Sequence, residues 1–145
     1  MTSTVPSKVV LFVCVENACR SLMAEAMFNQ HPPAGWTALS AGTEPAHRPN
    51  PRTGPMLREI GLELPGHPPR GLDREMLLQA EVMVTMGCLD KASCPARLRE
   101  SDVEDWGIPD PSTMDDAGFR GVRDTLRRRV EDLTQRLARA RSSPP

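Results

Sequence analysis

Seven apolar residues in a row, Val9 to Val15, follow a polar start and run straight into the mixed stretch Glu16 to Arg20. Such an unbroken run predicts a strand over Lys8 to Val13 that is covered on both faces, as in a parallel sheet. Ser21 to Asn29 then reads as a helix, stopped by His31-Pro32-Pro33. Trp36 to Ser40 reads as a second strand ended by Ala41-Gly42, and Pro51 to Ile60 as a helix ended by Gly61. Seven of the fifteen prolines fall between Pro45 and Pro69, which predicts a stiff, extended path around that helix. Leu72 to Ala80 predicts another helix, Glu81 to Met86 a strand, and Val103 to Trp106 a last short strand. From Phe119 the apolar positions Val122, Leu126, Val130, Leu133 and Leu137 recur every three or four residues, one face of a long helix. The other face is arginine-rich and reads as solvated.

Strands alternating with helices predict a single α/β domain with a doubly wound sheet, whose ligand site lies beyond the carboxyl ends of the strands. Cys14, Cys88 and Asp110 all follow predicted strands and so fall on one rim. The pattern divides the chain into a flexible start (1–7), a folded domain (8–140) and a frayed tail (141–145).

Composition narrows the classes. A length of 145 residues suits one core. Eighteen Lys+Arg against nineteen Asp+Glu, a net charge of -1, argue against a general nucleic-acid binder. The longest apolar run is far too short to span a bilayer, and residues 1–7 lack an apolar signal core. A cytoplasmic protein is expected, in which four cysteines point to catalysis, redox cycling or metal binding rather than to structural disulfides.

Cys14 and Arg20 carry the chemistry. A strand that ends at Cys14, a sharp turn and a helix with free N–H groups at its start form a cup for a tetrahedral oxyanion. Backbone amides, the positive end of the helix dipole and the forked guanidinium of Arg20 would all hold the anion. The same field favours the thiolate that a nucleophile needs. A cysteine at a strand end is more often a buried, inert thiol, but the Arg20 partner and the polar loop argue otherwise. Cys19 reads as a space-filler of the loop. Asp110 before Pro111 suits ordinary turn chemistry as well as a general acid.

With V-L-F-V before the Cys14–Arg20 pair and S-x-M-A-E-A after it, the sequence resembles the low-molecular-weight protein tyrosine phosphatase superfamily, which includes the thioredoxin-coupled arsenate reductases. The resemblance extends from Lys8 to about Leu137 and takes in S-A-G-T (Ser40 to Thr43), V-M-V-T-M (Val82 to Met86), Asp110-Pro111 and F-x-x-V-R-D (Phe119 to Asp124). It implies a four-stranded parallel sheet flanked by helices, with Cys14 as nucleophile, Arg20 as anion clamp and Asp110 as general acid. Val15, Glu16, Asn17, Ala18, Cys19, Arg20 and Ser21 would then form the substrate loop, Asn17 and Ser21 holding the loop and the thiolate. Glu25 and Ser40 would brace it. In some arsenate reductases these two help to bind potassium, but the aspartate that completes that site is unmatched at His67-Pro68-Pro69-Arg70, so no metal is expected. His31, His47 and His67 are assigned no chemistry. Glu16 departs from the glycine frequent at its position. A carboxylate beside a bound dianion costs about 1 kcal/mol even in water, so Glu16 should point outward.

Two further cysteines separate the activities within the resemblance. A tyrosine phosphatase needs no thiol beyond Cys14 and tends to place aromatics after the Asp-Pro pair, whereas here Ser112-Thr113 follow and the chain has no tyrosine. The reductases carry two more cysteines after the third strand, and V-T-M-G-C-L-D-K-A-S-C-P supplies Cys88 and Cys94. Zinc ligation would call for tighter spacing and a second pair. The resemblance therefore implies a Cys14/Cys88/Cys94 disulfide relay without a bound cofactor, recycled by external thioredoxin. A glutaredoxin or small-thiol donor stays open, and a monomer with neither nucleic-acid nor membrane partner is expected. Hydrolysis of phosphotyrosine or small phosphoesters is the alternative, and an anion-binding or redox-sensing adaptor a weaker one.

Overall fold

The computed structural model describes residues 8–87 and 103–142. Four strands, β1 (Lys8–Cys14), β2 (Trp36–Gly42), β3 (Ala80–Thr85) and β4 (Val103–Asp105), form one parallel sheet in the order β2-β1-β3-β4. β1 is central, which explains its apolar run: from Leu11 to Cys14 every residue is buried. Side chains alternate across a strand. Val10, Phe12 and Cys14 accordingly face the larger core, while Leu11 and Val13 face a smaller one with Ala41, Ala80 and Met83.

Helices cover both faces. α1 (Arg20–Gln30) and α4 (Asp116–Ser142) pack on the larger core with α2 (Thr53–Arg58), and Leu72, Met76 and Leu77, around the start of α3 (Arg74–Gln79), close the smaller one. Phe12 joins the layers, its ring 6.2 Å from Phe28 of α1 and 5.7 Å from Trp106 just past β4. Asp73 caps α3 by accepting from the Met76 amide at 2.8 Å.

The α/β fold with a four-stranded parallel sheet matches the expectation, and some details differ. The expected helix over Pro51 to Ile60 shortens to Thr53–Arg58, because Ile60 and Gly61 close a turn on Leu57 and Arg58 instead of continuing. α4 spans Asp116–Ser142. Its arginine face is also not uniformly solvated. Arg123 is buried and donates to the Met56 carbonyl at 3.1 Å and to Glu59 at 2.7 Å. Arg120 and Arg123 together hold the Glu59 carboxyl down at about 2. Burial pulls the Arg123 guanidinium down, but Asp124 and Glu59 outweigh it and leave the group above its usual value. Cys88 and Cys94 lie outside the described residues.

Candidate active site

β1 delivers Cys14 to the carboxyl edge of the sheet as its last residue, opposite Gly42 of β2. The chain then crosses to α1 in five residues. One neighbouring stretch fixes that crossing. The amides of Thr43, Glu44, Ala46 and Asn50 donate to the carbonyls of Cys14, Val15, Glu16 and Ala18 at 2.7 to 3.1 Å. The Thr53 hydroxyl adds a 2.8 Å bond to the Ala18 carbonyl. The loop carbonyls therefore face this brace and not the cleft on the other side.

Asn17 sits at the turn with φ of 52°, a left-handed conformation that asparagine tolerates better than most side chains. Its amide hydrogen points at the Cys14 sulfur (3.3 Å). Its side chain donates to Ser21 Oγ (2.7 Å) and Ser40 Oγ (3.0 Å) and accepts from the Arg70 amide (3.0 Å). Since the Ser21 oxygen already accepts from Asn17, its own hydrogen is free for the Cys14 sulfur 2.9 Å away. Asn17 and Ser21 were expected in the substrate loop; their side chains are bound up behind it, and neither lines the cleft.

The cleft in front, of about 500 Å³, is lined by Cys14, Val15, Glu16, Ala18, Cys19 and Arg20 on the loop side. Met86 and Gly87 beyond β3, and Ile108 to Asp110 beyond β4, form the opposite wall. Arg20 Nη1 donates to the Met86 carbonyl (3.3 Å) and the Ile108 carbonyl (2.9 Å). Among the described residues its Nε and Nη2 have no hydrogen-bond partner, which leaves that edge of the fork for an anion. Asp110 is exposed at the mouth and accepts from the Ser112 amide at 3.0 Å.

Comparison with known proteins assigns this arrangement. Residues 9–143 match the model of the low molecular weight phosphotyrosine protein phosphatase family. The chain belongs to that family. It is 30% identical over 130 residues to arsenate reductase 1 of Staphylococcus epidermidis, covering 90% of this chain and 98% of that protein. Among solved structures, a thioredoxin-dependent arsenate reductase of Corynebacterium glutamicum superposes with a TM-score of 0.76 at 25% identity, over 93% of this chain and 64% of that one. A low molecular weight protein tyrosine phosphatase of T. tengcongensis gives 0.78 at 26% identity, over 90% and 99%.

Within the family frame, three residues need comment. Glu16 is exposed and lines the mouth, where Asp105 and Asp110 also contribute carboxylates, and among the described residues no aromatic side chain lines the cleft. Burial pushes the Cys19 thiol up to about 11, more strongly than the Thr53 hydroxyl draws it down, so at neutral pH it is a protonated, space-filling thiol. His67 is the residue that sequence reasoning missed. Its Nε2 lies 2.9 Å from Glu25 Oε1, the atom to which the Ser40 hydroxyl donates at 2.5 Å. His67, Glu25, Ser40, Asn17, Ser21 and Cys14 thus form one hydrogen-bonded line, the histidine closing it at the corner where the expected aspartate is unmatched. A histidine in a proline-rich loop carries no periodic signal, and only a search for Glu25's partner would have singled it out.

Among the described residues no cluster of three or more His, Cys, Asp or Glu side chains is placed to hold a metal ion, and no helix is long and apolar enough to cross a membrane. Cys88 and Cys94 lie outside the described residues. Gly87, immediately before Cys88 in the chain, lines the cleft with φ of 111°, a conformation that glycine adopts without penalty.

Proposed function

We propose that this protein is a cytoplasmic, monomeric arsenate reductase recycled by thioredoxin. The observation that carries the reading is one cleft shared by Cys14, Arg20 and Asp110, with no aromatic wall for a phenol ring among the described residues and with Gly87, which directly precedes Cys88 in the sequence, in its lining. The 30% identity to a staphylococcal arsenate reductase supports it. The Cys14 thiolate attacks arsenic(V), and Asp110 protonates the departing oxygen, which leaves as water. Arg20 and the loop amides hold the charge that remains on the arsenate oxygens. The Cys88 thiolate then attacks the Cys14 sulfur: an S–S bond forms, the S–As bond breaks, and its electron pair reduces arsenic to arsenite. Cys94 attacks Cys88, releasing Cys14 as thiolate and leaving a Cys88–Cys94 disulfide. A thioredoxin dithiol reduces that disulfide by the same exchange. Arsenate and phosphate have nearly the same shape and charge, so selectivity lies in the step only arsenic(V) can take, reduction by a thiol.

NADPH consumption with arsenate, thioredoxin and thioredoxin reductase tests the reading, run beside p-nitrophenyl phosphate hydrolysis on one preparation. Cys88→Ser is expected to stop multiple turnover, and tryptic mapping of oxidised wild-type protein to find the Cys88–Cys94 disulfide. Sustained turnover by Cys88→Ser would end the three-cysteine scheme. Asp110→Asn is expected to lower kcat by about 10²- to 10⁴-fold, the usual contribution of a general acid; an unchanged rate would remove the assignment. A second reading, hydrolysis of phosphotyrosine or small phosphoesters, is favoured by the fact that Cys14, Arg20 and Asp110 alone suffice for it. Turnover of p-nitrophenyl phosphate at the rate of a dedicated phosphatase, with arsenate inert, would select it.

A further inference from the structure

We propose that Arg52 is the residue that positions the general-acid loop over the anion cup. The inference rests on the acid role assigned to Asp110. Asp110 needs outside help to stay in place, since among the described residues its carboxylate bonds only to the Ser112 amide of its own turn. That turn, the 3₁₀ segment Pro111–Thr113, is too short to hold itself rigid. Its carbonyls converge on one guanidinium. Arg52 Nη2 donates to the carbonyls of Pro111 (3.3 Å) and Ser112 (3.1 Å), and Nη1 to the Met114 carbonyl (2.8 Å) and to Asp116 (3.3 Å). The guanidinium lies 4.7 Å from the centre of the Phe119 ring, which fixes the plane of the fork. All four hydrogens of its two terminal nitrogens therefore have an oxygen each.

The other end of Arg52 is tied to the cup. Its backbone amide donates to Asn50 Oδ1 (2.9 Å), and the Asn50 amide donates to the Ala18 carbonyl (3.1 Å). Thr53, the next residue, reaches the same carbonyl. One residue thus links the acid loop, through its side chain, to the nucleophile loop, through its backbone and Asn50, across some ninety residues of sequence. Lysine has three hydrogens on one flexible point and cannot reproduce a planar fork. The function follows from the geometry: misplacing a reacting group by even 1 Å costs about 10²-fold in rate.

The test is a mutant cycle with Asp110. Thermal melts first establish that each variant folds; Arg52→Met keeps an apolar side chain on Phe119, and Arg52→Lys keeps the charge should the methionine protein not fold. For arsenate reduction, or p-nitrophenyl phosphate hydrolysis if that is the reaction catalysed, Arg52→Met is expected to lose about ten- to a hundred-fold in kcat, part of the general-acid contribution. The inhibition constant for inorganic phosphate, which reports the cup alone, should stay within about two-fold, and Arg52→Lys should fall as far as Arg52→Met. In an Asp110→Asn background Arg52→Met should cost nothing further, because its effect passes through the missing carboxyl. Additive losses in the double variant, a phosphate constant that rises in step with the loss of kcat, or a wild-type rate in Arg52→Lys would each overturn the proposal. A wild-type rate in Asp110→Asn alone would instead overturn the acid assignment, and the role of Arg52 with it.

Discussion

Cys14→Ser protein is expected to bind phosphate as wild type does and to release no arsenite, a loss of at least about 10⁴-fold. The two functions separate because different atoms carry them. On the proposed mechanism, binding belongs to the backbone of residues 15–20 and to the fork of Arg20, whose Nη1 is anchored on the Met86 and Ile108 carbonyls and not on the cysteine. Chemistry, on that mechanism, belongs to the sulfur, on which the Asn17 amide and the Ser21 hydroxyl converge. A serine hydroxyl stays protonated at neutral pH, and its oxygen can neither be displaced by Cys88 as a disulfide partner nor pass electrons to arsenic. Isothermal titration with phosphate beside a single-turnover arsenite assay checks both halves. Arsenite release at even one-tenth of the wild-type rate would mean that another thiol does the attacking.

Gly42→Ala is expected to lower activity by about 10²-fold, without removing any reacting atom. A Cβ at residue 42 would lie 2.5 Å from the Val15 carbonyl oxygen and 2.9 Å from both the Asn17 nitrogen and the Glu16 carbonyl carbon. All three are backbone, so no rotamer can relieve the clash. Nor can β2 retreat, since Gly42 is in register with Cys14, donates to the Arg70 carbonyl (2.9 Å) and accepts from the Leu72 amide (3.0 Å). The loop must give way, and a displacement near 1 Å costs about 10²-fold in rate. Overpacking should also lower stability by about 1–3 kcal/mol. Kinetics and a thermal melt on the same variant measure the two effects. Wild-type kcat/KM in Gly42→Ala would show that the loop tolerates movement the packing denies it.

Much of this was legible in the sequence because the local signals agree with the fold. The apolar run of β1, the Cys14–Arg20 spacing and the three- and four-residue steps of α4 each place an element without reference to anything distant. What failed was long-range. The apolar rhythm of α4 shows which face is buried but does not reveal that Arg123 reaches Met56 and Glu59 from the arginine-rich side. The family resemblance implied that Asn17 and Ser21 hold the loop and the thiolate, but nothing in the chain shows that their side chains lie behind the cup and not in it. His67 and Arg52 are further examples. Each acts on residues more than forty positions away, through hydrogen bonds that leave no pattern in the chain.

The attachment of Arg20 to two wall carbonyls makes the grip on an anion and the course of the chain at Met86 and Ile108 a single equilibrium. Any event that draws either carbonyl away frees a guanidinium hydrogen and loosens the fork, and by reciprocity a tightly held anion resists that displacement. On the proposed function, loss of the oxyanion and displacement of the Met86 or Ile108 carbonyl are therefore thermodynamically linked, with one arginine as the linkage.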